Sequence, residues 1–94
     1  MDKAALLRAV DLAMSGKWND AHRIVQEYED EFACRIHAVL HKMEGDEGNS
    51  RYWFRRAGKE FDKRETKDKN VIWFPEIVFR LLMQWGLLSK ILIQ

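Results

Sequence analysis

The sequence predicts an all-α domain, and three observations carry that prediction. Apolar residues recur at spacings of three and four through the first sixty positions, the period of a helix face. Five glycines and a single proline in 94 residues leave room for long uninterrupted helices and argue against a turn-rich β fold. Two of those glycines, Gly16 and Gly45, stand directly after periodic runs, where a helix needs a residue that tolerates a left-handed backbone.

The elements follow in order. Helix one is expected over about 2–15, with Leu6, Ala9, Val10, Ala13 and Met14 on one stripe and Asp2 at its positive end. Helix two is expected over about 18–29, with Trp18, Ala21, Val25 and Tyr28 on a shared face. His22 lies near Trp18 and reads as a partly exposed histidine at a helix start. Helix three covers about 30–44, with Phe32, Ile36, Val39, Leu40 and Met43 facing inward. Asp46 is suited to cap helix four, expected over about 47–61 with Ser50, Trp53, Phe54, Ala57 and Phe61 on its inner face.

Residues 62–70 alternate in charge and read as a solvated linker. Pro75 and Glu76 then open a fifth helix within 75–93, since proline at the first helical position gives up no hydrogen bond. The apolar tail 87–93 is expected to cap the bundle, or to pair two copies as a homodimer. The domain plan is therefore one unit: hairpin 2–29, hairpin 30–61, linker and C-terminal helix.

Composition narrows the function classes. Net charge is +1, with a balance of −4 over residues 1–50 and +4 over 51–69. Arg51, Arg55, Arg56 and Lys59 make the basic part a candidate docking surface. Interspersed Glu60, Asp62 and Glu65 argue against a nucleic-acid footprint. The single Cys34 has no disulfide partner in the chain and reads as a small buried hydrophobe. No apolar run reaches the roughly 18 residues of a membrane span, and no apolar leader opens the chain, so the expected location is the cytoplasm.

Superposing Gly16 on Gly45 aligns the two hairpins at a period of about 29 residues, the scale of stacked helical repeats. Ala9 and Ala38 precede the turn glycine by the same interval, and Ala21 and Ser50 follow it by the same interval. In these places, and in Phe54 and Ala57 further along, the chain resembles the tetratricopeptide family, while Val25 and Tyr28 depart from its pattern. The resemblance covers about residues 2–61 and implies two stacked antiparallel hairpins. A groove beside them would dock a protein partner, which makes an interaction or scaffold role the expected function. The string His-Ala-x-Leu-His-x-x-Glu-Gly-Asp-x-x-Asn-x-x-Tyr-Trp also resembles that of a group of small uncharacterised bacterial proteins, and it implies no activity.

Where tetratricopeptide hairpins carry Leu and Tyr, this chain carries His37 and His41. At 100° per residue these two and Glu44 fall within about 60° of one another on helix three. Two readings follow. In one, the imidazoles join a structural polar network with Glu44, Asp46, Asn49 and Tyr52 that pins the Gly-Asp turn. In the other, His37, His41 and Glu44 hold zinc or another divalent metal, in a binding or hydrolytic protein. Ala38 follows His37, so the glutamate base of the His-Glu-x-x-His hydrolases is missing from its place. The chain also carries no nucleophile elbow, phosphate-binding loop or zinc knuckle, which tilts the expectation away from an enzyme.

Overall fold

A computed structural model describes residues 2–61 of the protein. They form four α-helices and no strand: α1 Lys3–Met14, α2 Trp18–Val25, α3 Glu31–Met43 and α4 Glu47–Arg56. The expected linker 62–70, the helix opened by Pro75 and the tail 87–93 lie outside the described residues. No helix among the described residues is long and apolar enough to cross a membrane.

Short-range chemistry sets the helix ends. Asp2, Asp30 and Asp46 each place a carboxylate oxygen on a backbone N–H three residues on, at 3.0, 3.1 and 3.2 Å, so three of the four helices start on a side-chain cap. After α3, Gly45 adopts φ +85°, its N–H reaches Lys42 O, and the Asp46 N–H reaches His41 O at 2.9 Å. That pair of bonds takes up carbonyls the helix would leave open, and it needs the left-handed backbone that glycine alone tolerates cheaply.

Two helices are shorter than their apolar pattern suggests. Gly58, at φ +72°, closes α4 in the same way, with Lys59 N–H on Phe54 O, so the helix stops at Arg56 instead of running to 61. In α2, Glu27 and Tyr28 bond carbonyls three residues back, tightening the last turn, and the chain passes directly to the Asp30 cap.

The helices pack as two pairs, α1 with α2 and α3 with α4. The third helix also touches α1 and α2, and every residue from Phe32 to His41 on it is buried. A helix covered on all sides takes apolar residues all round, and α3 largely does. Leu6, Val10, Val25, Ile36, Val39 and Leu40 are its fully covered neighbours and members, each worth about 1.5–3 kcal/mol of burial. Met14, expected on the α1 stripe, is half exposed instead, at the last position before the turn. Cys34 is buried, its Sγ is 3.5 Å from Glu29 O, and burial raises its thiol pKa, so it behaves as a structural hydrophobe.

Close approach within each pair rests on small side chains. Ala9, Ala21, Ala38 and Ser50 have no exposed surface, and the Ser50 hydroxyl donates to Ala38 O at 2.8 Å. A larger group here must push α4 off α3. Ser50→Leu is expected to cost about 1–3 kcal/mol, read as a lower urea midpoint, with Ser50→Ala costing about 1 kcal/mol. Equal midpoints for Ser50→Leu and the parent would contradict the close contact.

Candidate metal centre

Three helices deliver an aromatic and imidazole cluster to one place. The α3 spacing puts His37 and His41 one turn apart, and despite their polarity they are only 4% and 8% exposed. Trp18 and His22 repeat that spacing on α2, whose face is drawn inward by buried Ala21 and Val25. The Trp18 indole N–H donates to Leu40 O at 2.6 Å, which registers α2 against α3. Trp53 comes from α4.

The rings stack in two parallel pairs that meet at right angles. Trp18 lies on His22 at a centroid distance of 4.8 Å and 10°, and Trp53 lies on His37 at 3.9 Å and 14°. His22 meets His37 edge-on at 4.7 Å and 83°, while His41 stacks beside His37 at 4.9 Å. His22 Nε2 and His37 Nε2 are 3.0 Å apart. Such a contact requires one imidazole to donate N–H and the other to offer a lone pair, so the rings cannot both be cations. One ring nitrogen from each of His22, His37 and His41 lies within 4.8 Å of those of the other two.

The surroundings of His37 and His22 favour the neutral ring. Burial, then the neighbouring His22 and His41, push the His37 pKa down to about 3. Burial and then His41 lower that of His22, against a smaller opposing pull from Glu44. Neutral imidazole is the form that binds metal. His37 Nδ1 is buried and finds no hydrogen-bond partner among the described residues. A buried polar atom left this way costs about 1–3 kcal/mol. The cluster thus holds more hydrogen-bonding capacity than the described chain satisfies.

Glu44 joins this group at its edge, with Oε2 at 2.7 Å from His41 Nδ1. Asp46 does not reach His37. Its oxygens accept from the Asn49 backbone N–H and, at 2.7 Å, from the Asn49 side-chain amide, and those bonds hold its carboxyl below the usual pKa. His41, Glu44 and Asp46 also lie close enough to share an ion, but the Glu44 carboxylate is already engaged by His41 and that of Asp46 by Asn49. Tyr52 stands apart from that network: it is exposed, meets Trp53 edge-on, and its hydroxyl accepts from Arg56 at 3.2 Å.

The basic face of α4 is largely answered from within the chain. Arg51 pairs with Glu47 at 3.3 Å, Lys59 with Glu31 at 3.7 Å and Arg56 with Glu29 at 4.0 Å. Arg51 also sits 4.3 Å from the Phe61 ring centroid, at the rim of an open cleft shared with Arg55, Lys59 and Glu60.

His22, which sequence reasoning placed beside Trp18 as a partly exposed histidine, is the member of the cluster it missed, along with the stacking of Trp53 on His37. The available signal was the matched pair of spacings, Trp18 with His22 and His37 with His41, on two helices that pack together. Comparison with family models, curated proteins and solved structures finds no match.

Proposed function

We propose that this protein is a small helical metal-binding module that holds one divalent transition-metal ion, of the zinc class, on His22, His37 and His41. The observation that supports it most is the convergence of three imidazole nitrogens within 4.8 Å from two different helix pairs. Around a tetrahedral ion with bonds of about 2.0–2.1 Å, ligand nitrogens stand about 3.3 Å apart. The His22–His37 contact of 3.0 Å is already near that spacing, and the remaining pairs need to close by about 1.5 Å at most. Half-buried His22 can close its distance to His41 by side-chain rotation, while the His37–His41 pair closes by rotation of those two rings.

Donor chemistry narrows the ion. Three imidazoles suit zinc, copper, nickel or iron, whereas magnesium and calcium demand oxygen ligands. His22 takes the ligand place that sequence alone gave to Glu44, because the Glu44 oxygen is spent on His41. With a single ion, the first helix pair would be tied to the second through α2 and α3. Three protein ligands leave a fourth position open, which permits but does not require a reaction at the ion.

The stacked tetratricopeptide-like arrangement belongs to the same reading. It is supported by the full burial of Ala9 with Ala21 and of Ala38 with Ser50 at matching places in the two hairpins. Docking of a protein partner through Arg51, Arg55, Arg56 and Lys59 is the weaker reading, because most of those cations already have acidic neighbours in the chain.

Zinc titration of the EDTA-treated protein against a chromophoric chelator tests the metal reading. One equivalent is expected to bind. His22→Gln, His37→Gln and His41→Gln should each weaken affinity by roughly tenfold or more while circular dichroism still reports a helical fold. Parental zinc affinity in all three variants would remove the assignment.

A further inference from the structure

We propose that Glu44 is the positioning residue of this centre, holding His41 in the tautomer that presents Nε2 to the ion. The proposal rests on the metal reading above. A carboxylate at neutral pH only accepts hydrogen bonds, so the proton in the 2.7 Å contact must sit on His41 Nδ1. In a neutral ring that leaves the Nε2 lone pair unprotonated, ready for a metal. A carboxylate behind a histidine ligand also raises its basicity and fixes the ring plane.

The other two rings carry no such device. His37 Nδ1 has no partner among the described residues, and the His22 contact runs between the two Nε2 atoms. One of those two rings therefore keeps its proton on Nε2. Before both can bind an ion through Nε2, that N–H bond must break and an N–H bond form at Nδ1 of the same ring. His41 needs no such change. It is the ligand set in advance.

Glu44 closes α3 at its C-terminal end and its side chain is 39% exposed, so replacing it disturbs no core. The test combines two measurements on the parent, Glu44→Ala and Glu44→Gln. Long-range proton–nitrogen NMR spectra of metal-free protein read the histidine tautomers, and competition titration reads zinc affinity. In the parent, His41 is expected as the Nδ1–H form. Glu44→Ala should release it toward Nε2–H and weaken zinc binding about 10–100-fold. Glu44→Gln, whose amide oxygen still accepts from Nδ1–H, should keep the tautomer and recover most of the affinity.

Parental zinc affinity in Glu44→Ala overturns the proposal, as does an Nε2–H tautomer of His41 in the parent. Failure of the parent itself to bind zinc overturns the metal reading and this proposal together. The tautomer spectra then still show whether Glu44 sets the ring, as a structural contact alone.

Discussion

Saturating zinc is expected to raise the thermal midpoint of the metal-free protein by roughly 10–20 °C. An ion that binds the folded chain and not the unfolded one stabilises it by about 2.7 kcal/mol when free metal is a hundredfold above its dissociation constant. In a domain of this size, each kcal/mol moves the midpoint by about 4–8 °C. The ion would tie His22 to the His37–His41 pair across the two helix pairs, which pack against each other more sparsely than the helices within each pair do. Magnesium should have no such effect, since its preferred ligands are oxygens. His37→Gln should remove the zinc-dependent shift whatever it does to the metal-free midpoint, because the comparison is made within each variant. Differential scanning fluorimetry with and without zinc reads both. An equal shift with magnesium, or a full zinc shift in His37→Gln, would contradict the account.

Mild acid is expected to destabilise the metal-free protein well above the range in which carboxylates titrate. His37 has a pKa of about 3 in the folded chain, whereas a histidine in the unfolded chain titrates near 6.5. Above pH 6.5 neither state takes the proton and stability is unaffected. Below it the unfolded state binds a proton that the native state refuses, so stability falls as pH falls until the folded pKa is reached. The slope is about 1.4 kcal/mol per pH unit, which amounts to roughly 2–3 kcal/mol by pH 4.5 from His37 alone. His22, shifted in the same direction, adds to the loss. Asp46 contributes only at lower pH, because its depressed pKa makes its contribution vanish as pH falls through that value. Urea unfolding between pH 7 and 4.5 in EDTA should therefore show a marked decline, shallower in His37→Gln. A flat profile over that interval would show that His37 is not held neutral.

These expectations depend on features that the sequence revealed unevenly. The starts of α1 and α4 were legible because aspartate caps and the glycine turns act within one helical turn, and Asp2, Gly16, Gly45 and Asp46 behave as local rules require. Gly58 obeys the same rule, yet the apolar period continuing to Phe61 masked it. Within the site, the His37–His41–Glu44 face could be drawn from helical geometry because all three lie on a single element. The role of His22 could not be drawn that way. It depends on where α2 lands on α3, a matter of packing between Ala21, Val25 and Leu40 and of the Trp18 indole bond. Separation along the chain hid it, since fifteen residues part His22 from His37. Glu44 was half legible for the same physical reason. Sequence spacing shows that a carboxylate can reach the histidines, while the fold decides that it reaches Nδ1 of His41, behind a proposed ligand.

The central claim is that three imidazoles from two helix pairs share one ion, and an X-ray absorption spectrum of the zinc-loaded protein tests it most directly. The account predicts a four-coordinate shell with zinc–nitrogen distances of about 2.0–2.1 Å and the outer-shell scattering of three imidazole rings, reduced by one ring in His22→Gln. A shell of oxygen ligands with no imidazole scattering, or three rings that persist unchanged in His22→Gln, would contradict it.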